Sequence, residues 1–171
     1  MANIRVPERG KCFCGLIYRD ESILRTVIDK LSERFGEIDI TAGPIDFTNT
    51  SYYCREMGQD LKRRFVSFRD LLILEEIWDW KIFTNTLEEE YLYPGTPCRM
   101  INIDPGYMNM ARVVLLSAKD FSHRVHLGSG IYAEVTLLCR RDGFQGLPWT
   151  YPDYMSAEYI SFFRQMRSCL K

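Results

Sequence analysis

KCFCGLIY (11–18) followed by RDESILRTVIDKLSERFG (19–36) decides the fold class, because two periodicities meet there. Residues 11–18 are rich in apolar and aromatic side chains at both odd and even positions, the pattern of a strand buried on both faces. Asp20 then offers a side-chain oxygen as an N-cap. Ile23, Leu24, Val27, Ile28, Leu31 and Phe35 follow at the three- and four-residue spacing that puts them on one face of a helix. Gly36 falls where a glycine can end that helix in a left-handed conformation. The pair predicts a central strand running into an amphipathic helix.

Working outward, residues 38–41 alternate as a strand, and Gly43-Pro44 predicts a break before Ile45-Asp46-Phe47. Residues 49–60 are polar and aromatic and read as a loop that includes a helical turn. Residues 63–69 predict a strand with Arg64, Val66 and Phe68 on one face and Phe65 and Ser67 on the other. Over 74–92, Ile77, Lys81, Thr84, Leu87 and Tyr91 trace one side of a second helix, without a clear cap to mark its start. Residues 97–104 predict the next strand, closed by Asp104-Pro105-Gly106 as a type II turn. The order is βαββαβ, that of a ferredoxin-like α+β core, in which 11–18 and 63–69 lie side by side as central strands.

The remainder predicts additions to that core. A short helix is expected near 108–117, then a β-hairpin over 121–139. A three-residue Gly128-Ser129-Gly130 loop pairs Leu127 with Ile131, Val125 with Ala133 and His123 with Val135. The opposite face then pairs His126 with Tyr132 and Arg124 with Glu134. A two-residue loop would set apolar against polar side chains across the strands, so the longer loop is favoured. A C-terminal helix begins near Ser156 with Glu158 in its first turn. Tyr159, Phe162, Phe163, Met166 and Leu170 form its apolar stripe.

Composition bounds the function classes. A chain of 171 residues suits a single domain, since domains commonly run ~100–200 residues. Three Trp, ten Tyr and ten Phe exclude a solvated, disordered chain. With 22 basic against 23 acidic residues and a net charge of −1, no global field draws in nucleic acid or an anionic bilayer. The opening MANIRVPERGKCFCG has no signal-like apolar core, and no apolar stretch approaches the ~20 residues of a membrane span. Both features predict a cytoplasmic protein. Its six cysteines are then expected as free thiols, and the Cys12-x-Cys14 pair as small core side chains rather than metal ligands.

At this point the chain resembles a known family, the bacterial and archaeal proteins grouped as domain of unknown function 4416. The resemblance covers almost the whole length. It is carried by GLIYRDE (15–21), FGEIDI (35–40), LKRRFVSF (61–68), KIFTN (81–85), INIDPGYM (101–108), KDFSHRVHLGSGIYAEVTL (119–137) and PWTYPDY (148–154). Residues 71–80 depart from the pattern, which leaves the start of the second helix open. The resemblance implies no activity and no catalytic residue. Some members bear a GTP-binding label, but this chain has no GxxxxGK[ST] and no NKxD on which that role could rest.

Chemistry is sought in four places. His123 and His126 are the only histidines, and neither lies in a nucleophile context such as GxSxG. A polar cluster of Asn102, Asp104, Lys119, His123, Arg124 and Glu134 gathers cations that could grip a phosphate or carboxylate, with Asp104 and Glu134 available to Mg²⁺. Each also has an ordinary role: Asp104 as a turn residue, Arg124 and Glu134 as a cross-strand ion pair, Lys119 as a solvated cation. PWTYPDY presents three aromatics as a docking surface, or else pins the last helix to the core. Lys62-Arg63-Arg64 reads as a solvated strand start. Two functions follow: a binder, with or without turnover, of a small anionic, nucleotide- or phosphate-like ligand at the polar cluster, with Mg²⁺ as a companion ion; or a non-catalytic protein–protein interaction module using PWTYPDY. A membrane partner and a nucleic-acid partner are not expected, and no protein-ligated metal is assigned.

Overall fold

The computed structural model describes residues 3–7, 9–48 and 52–170. Residues 49–51, which open the loop expected over 49–60, lie outside that set. The fold is mixed α/β: one antiparallel sheet of eight strands with helices on both faces. In chain order the elements are β1 (Gly10–Tyr18), α1 (Glu21–Phe35), β2 (Ile38–Asp46), α2 (Cys54–Met57), β3 (Lys62–Leu72), α3 (Trp78–Glu89), β4 (Ile101–Met108), β5 (Arg112–Ser117), β6 (Val125–Gly128), β7 (Ile131–Arg140), β8 (Gly143–Gly146) and α4 (Ala157–Ser168). A 3₁₀ turn, Pro152–Met155, leads into α4. The strand order is β2-β3-β1-β4-β5-β7-β6, with β8 also paired to β7. Among the described residues no helix is long and apolar enough to cross a membrane.

β1 is buried along its whole length and pairs with β3 on one side and β4 on the other, as the doubly apolar pattern of 11–18 requires. Its alternation divides the core. Cys12, Cys14, Leu16 and Tyr18 share one cluster with Leu24, Val27, Leu31 and Phe35 of α1 and Trp80 and Leu87 of α3. Phe13 faces the other way, into a cluster with Phe65 and with Tyr159, Phe162, Phe163 and Met166 of α4. The two faces are thus covered by α1 with α3 and by α4. Asp20 caps α1 by accepting from the Ser22 N–H at 2.7 Å, and Gly36 ends it at φ 98° with its N–H on the Ser32 carbonyl. Ser156 caps α4.

Several expectations need correction. β2 runs on through Gly43-Pro44, because a register irregularity between Ala42 and Ile45 absorbs the pair. α3 starts at Trp78 rather than near 74, since β3 extends to Leu72 and Glu76 sits at φ 55°, outside helical space. Where a helix was expected near 108–117, residues 112–117 form a strand, β5, and Met108 ends β4. Their Val113-Val114-Leu115-Leu116 run is buried on both sides and suits a helix or an inner strand equally by period. β5 joins β7 to β4, so the hairpin extends the same sheet rather than standing beside it. In that hairpin Val125 faces Ala133 and His126 faces Tyr132 as expected. Leu127, however, is bulged out and Gly128 pairs with Ile131. His123 and Arg124 precede the strand, and Val135 pairs with Val114 of β5 instead of His123. β8 was not anticipated.

The most consequential correction concerns Asp104-Pro105-Gly106. These residues do not turn; β4 passes straight through them, with Gly15, Cys14 and Phe13 of β1 opposite. Gly106 is needed for close approach, since a Cβ there would lie 2.4 Å from the Val114 carbonyl oxygen. Pro105 lies just before the point where β5 begins to pair, so its missing N–H leaves no ladder bond unmade.

Candidate functional site

β4 and β5 pair only over Gly106–Leu115, Tyr107–Val114 and Met108–Val113. Before Gly106 the two strands splay apart, and β4 presents an unpaired edge inside the molecule. A buried unpaired edge is costly unless its polar groups find other partners. α3 supplies them. Glu88 accepts the Ile103 N–H at 2.6 Å, and Lys81 donates to the Ile103 carbonyl at 2.7 Å. Both side chains are buried and lie 3.7 Å from each other. Glu88 also accepts from Arg99, which grips Glu56 with Nε and Nη2 at 2.6 and 2.9 Å and donates from Nη1 to Asn102 at 3.0 Å. Burial pushes the Glu88 carboxyl up, against the pull of Lys81 and Arg99; the hydrogen bond from Arg99 holds Glu56 down.

The splayed strands enclose a cavity of about 450 Å³. Asn102 and Asp104, two apart on β4, share one of its walls. Deeper in lies Arg63 of β3, only 4% exposed. Its guanidinium is 3.3 Å from Asp104 and 3.9 Å from Asp153, and it lies 5.0 Å from the centre of the Phe47 ring. Tyr154 from the 3₁₀ turn is buried beside it, and burial pushes that phenol well up.

The opposite wall comes from β5, β7 and the loop before β6. Glu134 of β7 is buried and accepts from Arg124 Nε at 2.7 Å, with His123 Nε2 at 3.1 Å from the same oxygen. Arg124 Nη1 donates to Ser117 Oγ and to the Lys119 carbonyl, and its guanidinium lies 4.8 Å from the Phe121 ring centre. Lys119 is exposed and donates to Tyr52 Oη at 3.0 Å; that bond pulls the Tyr52 phenol down. Tyr52, Phe121 and Tyr151 are 60%, 50% and 54% exposed, so they mark the mouth.

Of the residues singled out in the sequence, Asn102, Asp104, Lys119, Arg124 and Glu134 all line this one cavity. His123 is not part of the lining; it lies between the Phe121 and Trp149 rings, stacked at 6.0 and 5.2 Å between centres. Sequence reasoning gave no site role to Lys81 and Arg99, and it singled out Arg63, Asp153 and Tyr154 only within separate stretches, not as part of this site. Arg63 is buried, not the solvated strand start expected of Lys62-Arg63-Arg64. The available signal was its alternation with Phe65, which puts a charge on an apolar face. Of PWTYPDY, Trp149 donates to the Val135 carbonyl and residues 151–154 form part of the cavity wall.

The lining has unmet hydrogen-bonding capacity. Among the described residues Arg63 Nε, Asn102 Nδ2 and Tyr154 Oη are buried without a hydrogen-bond partner, and all three residues line the cavity. Such groups are rare in native interiors. Among the described residues, no group of three or more His, Cys, Asp or Glu side chains is placed to hold a metal ion. A concave chamber in an α/β fold, lined by aromatics and converging polar groups, is the general form of a small-molecule site. The chain belongs to the family described as domain of unknown function (DUF4416), which it matches over residues 8–169. No curated protein and no solved structure matches it.

Proposed function

We propose that the cavity between β4 and β5 binds a small anionic, nucleotide- or phosphate-like molecule. One observation carries the reading: three buried polar groups without a partner among the described residues, on Arg63, Asn102 and Tyr154, belong to residues that line a single cavity. A ligand rich in acceptor oxygens or nitrogens would satisfy them together. Lys119 at the mouth supplies the positive charge.

The reading also takes β1, α1, β2, β3, α3 and β4 as a ferredoxin-like core, supported by the strand order β2-β3-β1-β4, to which β5–β8 and α4 are added. A cytoplasmic location belongs to the same reading, supported by six cysteines of which none is disulfide-bonded. The alternative, an interaction module using residues 148–154, is supported only by the exposure of Tyr151, because Trp149 and Tyr154 are engaged in packing and hydrogen bonding.

A thermal-shift screen of inorganic phosphate, sugar phosphates and nucleotides, with and without Mg²⁺, tests the binding claim. A ligand at ~100 times its Kd stabilises by about 2.7 kcal/mol. At roughly 2–4 °C per kcal/mol that is a rise of several degrees. Asn102→Asp keeps the acceptor for Arg99 and removes the unpartnered donor, so it should lose the rise. A panel without any shift, or a full response from Asn102→Asp, overturns the assignment.

A further inference from the structure

Resting on that reading, we infer that the ligand is a planar heterocycle carrying an acidic tail, and that it enters ring first, leaving the acid at the mouth beside Lys119. The argument begins with charge. Each inner cation of the cavity already has a carboxylate: Arg63 has Asp104 and Asp153, Lys81 has Glu88, and Arg99 has Glu56 and Glu88. Arg124 is matched by Glu134. Among the described residues Lys119 is the lining cation with no carboxylate within 4.0 Å, and its hydrogen bond is to the Tyr52 hydroxyl. A phosphate monoester carries roughly −1.5 to −2 at neutral pH. Placed at Arg63 it would meet a guanidinium flanked by two carboxylates, in a buried setting where like charges repel strongly. Placed at Lys119 it would meet an unmatched cation.

Hydrogen-bonding sense gives the same order. A phosphate dianion only accepts, and cannot engage a wall that offers carboxylates. The inner wall offers both kinds of group. Asn102 Nδ2 and Arg63 Nε are unpartnered donors, Asp104 is an acceptor two residues from Asn102 on the same face of β4, and Tyr154 Oη serves in either sense. A heterocycle with N–H and C=O or ring-nitrogen edges matches that mixture, and a simple anion does not. The aromatic side chains complete the fit: Phe47 and Tyr154 are buried in the lining and Tyr53 is half-buried beside Phe47, where a flat ring packs face or edge against them.

The test is a titration of the whole chain with the four common ribonucleoside 5′-monophosphates, their nucleosides, ribose 5-phosphate and inorganic phosphate. At least one monophosphate is expected to bind, and its nucleoside to bind more weakly. Ribose 5-phosphate and inorganic phosphate should be weaker than that monophosphate by tenfold or more. Lys119→Ala, at an exposed position, should cancel the advantage of the monophosphate over its nucleoside and leave the nucleoside unchanged. In saturation-transfer NMR on the unaltered protein, the ring protons should receive the largest signal. Inorganic phosphate or ribose 5-phosphate binding as tightly as every monophosphate would mean the acid goes in first. That result overturns the orientation while the anion site itself stands. A Lys119→Ala protein that keeps the full monophosphate advantage also overturns it. If no compound in the panel binds, the anion reading falls and the orientation with it.

Discussion

Lys81 of α3 donates to the backbone carbonyl of Ile103 in β4 at 2.7 Å, and so occupies the place of a neighbouring strand. With Glu88 on the Ile103 N–H, two side chains of a helix close the ladder that β5 leaves open. The gap in the sheet is therefore stabilised and not accidental, and the cavity exists because of it.

Removing Lys81 tests that account. Lys81→Met keeps length and apolar stem but orphans a buried carbonyl and takes a cation from Glu88. A loss of about 1–3 kcal/mol is expected for one unsatisfied buried group. Urea unfolding should show a lower midpoint with an unchanged slope. A change under about 0.5 kcal/mol would mean that Ile103 does not depend on Lys81.

Gly106 guards the other boundary of the gap. Any Cβ there would sit 2.4 Å from the Val114 carbonyl oxygen, which is backbone and cannot move alone. Gly106→Ala should therefore force β4 and β5 apart and cost about 1–3 kcal/mol, the usual range for overpacking. Near-wild-type thermal stability would contradict the close approach.

The aromatic cluster under α4 predicts a larger loss. Phe65 is fully buried, with ring centres of Tyr159 and Phe162 at 4.5 and 5.2 Å. Phe65→Ala should cost about 3–5 kcal/mol, measured by chemical denaturation. A value below about 1 kcal/mol would mean that α4 is not held by this contact.

Acid unfolding carries a signature of Glu56. Its folded-state pKa is lowered by Arg99, so its contribution is complete above the unfolded value of about 4.3 and disappears as pH falls through the lower folded value. Glu56→Gln removes that linkage. Stability measured at pH 6 and again near pH 3 should fall less in the variant than in the wild type. Equal falls would show that the Glu56–Arg99 pair adds nothing to the acid limb.

The local signals were legible where one segment decides its own conformation. Asp20, the apolar stripe and Gly36 define α1, and Ser156 with its aromatic stripe defines α4. β1 was legible as a central strand because both its faces are apolar. Asp104-Pro105-Gly106 misled because Pro-Gly reads locally as a turn, while the groups that let β4 continue, Lys81 and Glu88, lie on a helix well upstream. Val113-Val114-Leu115-Leu116 has no period that separates a helix from an inner strand. At the site, Asn102, Asp104, Lys119, Arg124 and Glu134 were found as a charged cluster in one sequence region. Arg63, Arg99 and Asp153 were not, because each is brought to the cavity by a different part of the chain, and Arg63 looked like one of three surface cations.

The central claim is that the cavity binds a small anionic molecule through polar groups on Arg63, Asn102 and Tyr154, and the side-chain amide of Asn102 reports on it directly. Its Nδ2 has no hydrogen-bond partner among the described residues, while its Oδ1 is held by Arg99. With ¹⁵N-labelled protein, the Asn102 amide pair is assigned by its loss in Asn102→Asp and followed while nucleoside monophosphates and inorganic phosphate are added. The account predicts a saturable shift of that pair as one of these ligands hydrogen-bonds to Nδ2. An Asn102 signal that stays fixed while a bound anion moves resonances elsewhere, or that never moves with any of them, would contradict it.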